Sequence, residues 1–346
     1  MKKLLKHISP LAPDDSGACS VLYELGGIVV ICDAGGCAGN VCGFDEPRWF
    51  VKKSALFSAG LRDMDAILGR DDKLVEKLAK VSSQINARFT AVVGTPVPAV
   101  IATDYRALKR MSEKKTGLPC ITVETTGTNL YDKGEEEAYL ALFKEFAKEK
   151  LPTKAGKVGV IGATPLNTGL AKADVIIDGL KEKYREVVCF GMDSGLDEII
   201  NASECEKIIV ISNSGIKAAE YIKEKFGIEY EFAFPCIPKE TLEKTKDMNG
   251  RKVLIIHQKV AANMLRDLLN NCNTDCASWF SIDKNIAKEN DFHIKDEDDL
   301  IEKADEYDVI IGDISFKKML PKYNGEFIDF PHFAVSGRIW DEKERR

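Results

Sequence analysis

The sequence predicts an α/β protein of three successive Rossmann-like domains with parallel sheets, over residues 1–150, 151–248 and 249–346. Three observations carry that expectation. Short apolar runs alternate along the chain with stretches of helical apolar spacing, the pattern of parallel strands joined by crossover helices on both faces. The run Ile28–Ile31 is apolar throughout, as in a strand buried on both sides, and ends in a glycine-rich turn of the kind that open sheets place at their ligand edge. Residues 151–156 (LPTKAG) and 247–250 (DMNG), poor in apolar side chains, then divide the chain.

The elements follow in order. Residues 28–31 form the first strand. Residues 54–69 (SALFSAGLRDMDAILG) and 71–86 (DDKLVEKLAKVSSQIN) carry helical apolar spacing, and the second opens with two aspartates suited to the positive end of a helix dipole. A strand over 90–94 (TAVVG) leads into Thr95-Pro96-Val97-Pro98, then come a helix over 104–115 and a strand over 119–124 (PCITVE). A helix rich in Glu, Ala, Leu and Lys spans 134–150. The second unit reads as a strand at 158–162, a loop at 163–168, a helix at 170–184, strands at 187–190 and 208–211, and a helix at Ile216–Phe226. The third reads as a strand at 253–257, helices at 261–270 and 298–307, and a strand at 309–312.

With 346 residues the chain exceeds one compact core, and 45% hydrophobic with 30% charged residues is a globular composition. A formal charge of −6, with Lys and Arg interspersed among Asp and Glu, gives no nucleic-acid footprint. No apolar run approaches the ~18 residues of a membrane span, and the basic start lacks the apolar core of a signal peptide. The chain therefore reads as cytoplasmic. It has no phosphate loop of the G-x4-G-K-[S/T] form, and the glycines of 156–162 fall inside a strand, which fits a dinucleotide fingerprint poorly.

Ten cysteines in a large cytoplasmic chain do not form a disulfide framework, and their distribution is uneven. Cys19, Cys32, Cys37 and Cys42 fall early, the last three at five-residue intervals. Cys37 and Cys42 stand among glycines, with Gly36 and Gly39 small enough for the backbone to approach something bulky. Thiolates there suit a soft metal, with an iron–sulfur cluster leading, although C-x4-C-x4-C is not a common zinc or ferredoxin spacing. The plainer reading is burial, which fits Cys32 at the strand end better than Cys37 or Cys42. Cys120, Cys189, Cys205 and Cys236 read as buried structural cysteines. Cys272 and Cys276 form one C-x3-C pair without a second, a poor zinc site.

The chain resembles the nitrogenase component 1 family over nearly its whole length. That family includes nitrogenase catalytic subunits, cofactor-assembly scaffolds and the catalytic components of protochlorophyllide reductase and the F430-pathway reductive cyclase. Cys19, the strand at 28–31 and Gly36-Cys37 are similar to its amino-terminal signature. Residues 57–78 (FSAGLRDMDAILGRDDKLVEKL) are similar to its acidic segment and the helix behind it. Residues 225–230 (KFGIEY) resemble an aromatic-Gly-Ile-Pro stretch with Glu229 in place of proline. Residues 308–313 (DVIIGD) and 330–338 (FPHFAVSGR) resemble the end of its active-site region.

The resemblance implies an iron–sulfur cluster held by cysteines of two subunits at their interface, with Cys19 and Cys37 as ligands. The family's Cys-Pro after the next strand stands here as Thr95-Pro96, so one ligand is missing. A homodimer offering Cys19 and Cys37 twice restores four thiolates for a [4Fe-4S] cluster. With Cys42 as replacement, six thiolates flank the axis and suit a larger cluster or leave one pair unused. The family's large-cofactor cysteine would precede the helix Ile216–Phe226, where residues 211–215 (ISNSG) hold no thiol, and its histidine would fall near His332.

The function implied is that of a redox component that accepts electrons from a separate ATP-dependent iron–sulfur reductase and reduces a small-molecule substrate. His332 and Arg338 are the catalytic candidates, orienting or protonating an anionic substrate, and Ser336 a binding candidate. A capped turn is their structural alternative. Two rivals stand beside this: an assembly scaffold that holds a cluster or tetrapyrrole precursor without turnover, and a metal-free small-molecule binding protein.

Overall fold

The computed structural model describes residues 5–269 and 272–339. The basic start at 1–4 and the expected helix end at Asn270 lie outside them. The chain folds around three parallel sheets. The first contains β1 (Ile28–Ile31), β2 (Ala55–Ser58), β3 (Thr90–Val93) and β4 (Cys120–Val123) in the order β2-β1-β3-β4. The second contains β5 (Lys157–Ile161), β6 (Glu186–Cys189), β7 (Lys207–Val210) and β8 (Tyr230–Phe232), ordered β6-β5-β7-β8. The third contains β9 (Lys252–Ile256), β10 (Asn273–Ser278), β11 (Phe292–His293), β12 (Val309–Gly312) and β13 (Glu326–Asp329), ordered β11-β10-β9-β12-β13.

Each sheet starts at an inner strand, winds outward, then crosses back. The order therefore reverses between β1 and β3, between β5 and β7, and between β9 and β12, where loops part at the carboxyl edge and leave a crevice. The principal helices are α1 (Asp14–Leu22), α2 (Gly36–Asn40), α3 (Asp71–Ser82), α4 (Tyr105–Thr116), α5 (Tyr131–Phe146), α6 (Ile216–Phe226), α7 (Lys259–Leu268) and α8 (Glu297–Ala304). Among the described residues no helix is long and apolar enough to cross a membrane.

Both faces of β1 are covered. Val29 and Ile31 join a core with α1 and α5, while Ile28, Val30 and Cys32 pack with Leu74, Val75 and Leu78 of α3 and Leu108 of α4. Alternation across the pleat explains why the run is apolar at every position. Sheet two divides likewise: Ile208 and Val210 face α1, α5 and α6, and Ile209 and Ile211 face the third sheet's Val253 and Ile255. At roughly 1.5–3 kcal/mol per buried large apolar side chain, these shared layers bind the three sheets into one body.

The main local departure is at residues 54–69. In place of a continuous helix, β2 pairs with β1 from Ile28↔Ala55 to Ile31↔Ser58, and only Asp63–Ile67 is helical. The ladder to β1 outweighs a local 3.6-residue spacing. The expected helix at 170–184 shrinks to Asp174–Leu180, preceded by a short turn at Pro165–Thr168. Helix α1 has no counterpart in the expectations because it is buried all round and carries no amphipathic stripe.

Candidate metal centre

The loop after β1 turns on Gly35, whose φ of 115° suits glycine and sets the start of α2. The buried Asp33 carboxylate accepts from the Ala38 amide (2.8 Å) and the Ser58 hydroxyl (2.5 Å), fixing α2 to β2. Cys37 lies in α2 and Cys42 in the wide π-helical turn Val41–Asp45 that continues it. Asp45 accepts from Ser16 (2.6 Å) and Asn40 (2.9 Å), which ties that turn to α1. Arg48 then anchors the loop from below. Fully buried, its guanidinium donates to Glu46 (2.6 Å), Glu24 (2.9 Å), the Ser20 carbonyl (2.6 Å) beside Cys19, and the Gly191 carbonyl (2.8 Å) of the second unit.

The three predicted cysteines pack on one hydrophobic core. Cys19, in α1, is fully buried; Cys37 and Cys42 are half-buried against the same core. Burial raises all three thiols: Cys19 well above its usual range, Cys37 to about 11, and Cys42 upward, with Asp15, Asp33 and Glu46 adding negative potential. The Thr95 hydroxyl and the Asp15 carboxyl group both bear on the Cys37 thiol, the first lowering it and the second raising it. The β1/β3 crevice thus sets Cys37 against residue 95, the position where the resemblance lacks its third cysteine.

Asp15, buried in the first turn of α1, has its carboxyl pushed up to about 6 by burial and then by Asp14. Its Oδ1 has no hydrogen-bond partner. Three thiols and a carboxyl group held toward their protonated forms in a negative pocket are a donor set that a soft cation would deprotonate and satisfy. Among the described residues, no three His, Cys, Asp or Glu side chains form by themselves a group that could hold a metal ion. Gly36 and Gly39 face open space. The segments that follow the first three strands expose several large apolar side chains, Phe44, Phe50 and Val51 after β1, Ile67 and Leu68 after β2, and Val100 after β3.

The β5/β7 crevice holds a second, closed constellation. Glu135 of α5 accepts from Thr164 (2.5 Å), Asn167 (2.7 Å) and Ser214 (2.6 Å). Burial pushes its carboxyl up to about 8 in spite of those donors. Asn167 in turn accepts from Ser212 (2.8 Å) and from Tyr131 (2.7 Å), whose oxygen lies 2.9 Å from His332 Nε2. His332 stacks on His257 with ring centroids 4.2 Å apart, and His257 stacks on Phe330 at 4.3 Å. Burial lowers His257 to about 4 and, with His257 as neighbour, holds His332 well below its usual range, so both rings are neutral. The thiol-free loop 212–215 and His332 therefore do meet, through α5 and Asn167.

Ser336 and Arg338 lie elsewhere. Asp313, buried after β12, accepts from the His332 amide (2.9 Å) and Ser336 (2.7 Å), and Arg338 pairs with Asp329 at 2.8 Å. Ser336 lines a groove of about 780 Å³ whose other walls are residues 9–13 and the cysteine loop at Asn40, Gly43 and Phe44. Cys32, Cys120, Cys189, Cys205 and Cys236 are buried; Cys276 accepts from Arg266 Nε (3.1 Å), and Cys272 donates to the Met248 carbonyl (2.9 Å). Sequence reasoning missed Asp15 and Arg48. Asp15 and Cys19 are four residues apart, a shared helical face, but the helix itself was not legible.

A family model for nitrogenase component 1 type oxidoreductases matches residues 16–270. The nitrogenase iron-molybdenum cofactor biosynthesis protein NifE of Clostridium pasteurianum is 27% identical over 177 residues, which cover 50% of this chain and 38% of that protein. NifE of Bradyrhizobium diazoefficiens is 22% identical over 179 residues, covering 50% and 32%. The matches thus span about a third of those relatives' own length. Two solved structures share the fold: nitrogenase Cp1 at pH 6.5, with a TM-score of 0.73 at 10% identity over 95% of this chain and 87% of that one, and nitrogenase Cp1 at pH 5, with 0.68 at 14% identity over 94% and 84%.

Proposed function

The chain belongs to the nitrogenase component 1 type oxidoreductase family, and from that premise we propose a homodimer joined at the cysteine-loop edge with an iron–sulfur cluster between its copies. Cys19 and Cys37 of each copy are the ligands of a [4Fe-4S] cluster, and Cys42 stands beside them for a larger one. The protein takes electrons from a separate ATP-dependent iron–sulfur reductase and passes them to a small-molecule substrate, in the cytoplasm. The observation that supports this reading is the packing of Cys19, Cys37 and Cys42 on one core, together with the exposed apolar side chains that follow β1, β2 and β3 and that a second copy would cover.

A bound cluster would supply one-electron transfer that no side chain offers. The chain's own residues do the rest. Arg48 and Asp33 hold the loop, and Gly36 and Gly39 leave room at its rim. Arg338 is a half-exposed cation for an anionic substrate, and Ser336 faces the groove beside the cysteine loop. His332 can exchange a proton only by way of Tyr131, so its part in any reaction is to set that hydroxyl.

A second reading, an assembly scaffold without turnover, is favoured by the cofactor-biosynthesis role in the relatives' names. Anaerobic iron and sulfide analysis with electron paramagnetic resonance, on wild type and on Cys19→Ala, Cys37→Ala and Cys42→Ala, tests the common core of both. Loss in the first two alone supports the four-thiolate site, and loss in Cys42→Ala the larger set. Colourless wild-type protein without stoichiometric iron overturns both and leaves a metal-free binding protein. A cluster retained through cycles of dithionite and dye oxidation fits the redox reading. Transfer to an apo-ferredoxin fits the scaffold.

A further inference from the structure

We infer that the flank of the first sheet binds a small amphipathic monocarboxylate, in a cavity between β1, β2 and α3. The cavity measures about 340 Å³, and none of its walls comes from the cysteine loop. Small-molecule pockets begin at about 300 Å³, and an apolar cavity of about 150 Å³ already takes benzene. The hollow originates in the sequence of β2. Ile28 and Val30 face α3, and the ladder sets Ala55 beside Ile28 and Phe57 beside Val30. Side chains alternate across the pleat, so Ala55, Phe57 and Ala59 turn toward the helix while Leu56 joins the opposite core. The two alanines reach less far into the layer than the larger side chains that normally close it, and Ala59 lines the cavity.

The walls sort by depth and by polarity. Ile28, Leu74 and Leu78 are buried and make an apolar floor, and Phe57 stands half-exposed at the strand side. The helix side contributes Lys77, Lys80 and Gln84, all exposed and spaced along one side of α3 and the turn behind it. Lys77 Nζ donates to the Ala59 carbonyl at 2.8 Å, which ties its cation to the cavity wall. Lys73, one turn earlier, is neutralised by Asp65 at 2.7 Å. Among the described residues neither Lys77 nor Lys80 has such a carboxylate partner. An apolar floor beside two unpaired cations is complementary to a molecule with an apolar body and one anionic end. The body enters the hollow beside Ala59, and the carboxylate accepts from the two lysines.

The test titrates the full-length chain calorimetrically with octanoate, octanol and inorganic phosphate: wild type, the double variant Lys77→Gln/Lys80→Gln, and Ala59→Leu, each checked for native circular dichroism. Wild type should take one octanoate per chain, with a negative heat-capacity change and weaker binding at high salt. Octanol on wild type, and octanoate on the lysine variant, should each bind about fivefold to tenfold more weakly. Ala59→Leu should fill the hollow and abolish octanoate binding; the exposed lysines carry the test should that variant not fold. No saturable octanoate binding overturns the site, and unchanged binding in Ala59→Leu overturns its location. Octanol binding as tightly as octanoate, or no loss in the lysine variant, overturns the carboxylate. Phosphate binding as tightly as octanoate leaves an ion patch and overturns the apolar half. A sedimenting dimer that Phe57→Ser dissociates, with no octanoate bound, gives the face to a second copy and overturns the ligand.

Discussion

Gly134 of α5 lies so close to the Asp14 carbonyl of α1 that a single methyl group on it would collide with that oxygen. The reverse contact is as tight: a methyl on Gly17 of α1 would strike the Tyr131 carbonyl of α5. The two helices cross with backbone against backbone, and this crossing sets the height at which Asp15 and Cys19 meet the cysteine loop. Gly134→Ala should destabilise the chain by about 3 kcal/mol or more, beyond ordinary overpacking because backbone cannot rotate away. Urea unfolding measures it, and an unchanged midpoint would disprove the crossing.

Arg48 gives a second expectation. Its guanidinium is fully buried among Glu46, Glu24 and two carbonyls, and removing it leaves buried acceptors uncompensated. Arg48→Met, of similar volume, should cost roughly 3–5 kcal/mol, the range for breaking one side of a buried ion pair. The cysteine loop should exchange its amides faster in the variant, measurable by hydrogen exchange at residues 36–48.

A pH dependence follows from Glu135. Burial raises its folded pKa to about 8 from an ordinary 4.5, so between those values the folded chain binds a proton that the unfolded chain has released. Stability from this group therefore falls as pH rises through that window, with a slope approaching about 1.4 kcal/mol per pH unit, and levels off above it. Glu135→Gln should remove the slope. Thermal midpoints from pH 5 to 9 would show it, and identical profiles for both proteins would refute it.

Tyr131→Phe removes the one hydroxyl that joins Asn167 to His332. It leaves His332 Nε2 buried without its partner, at an expected cost of about 1–3 kcal/mol. Because Nδ1 of His332 is already unpartnered, the variant should also let the ring reorient, visible as a shift of its carbon-bound proton resonances. A loss below about 0.5 kcal/mol would mean that water replaces the hydroxyl.

Strands such as β1 and β12, buried on both faces, announce themselves as unbroken apolar runs, and α6 ends where Gly227 takes a φ of 71°. The fold was legible there because burial and backbone geometry act residue by residue. Helix α1 was not legible, since its surroundings come from other parts of the chain and leave no periodic signal. The residues 55–58 were misread for a related reason: their structure is decided by β1, not by their own spacing. Cys19, Cys37 and Cys42 could be picked out by type, and they pack on one core. Asp15 could not, because its burial is decided by the packing of α1 against the rest of the fold.

Helix α5 reaches into every part of the molecule: Tyr139 donates to the Phe190 carbonyl, Glu135 gathers Thr164 and Ser214, and Asp132 receives the Ser281 amide. A hinge between any two sheets would have to break several of these bonds at once, each leaving a desolvated group at about 1–3 kcal/mol. These bonds oppose a clamshell motion of the sheets. In the proposed dimer, access would then lie across the outer rims, where the second copy would gate it without any rearrangement inside.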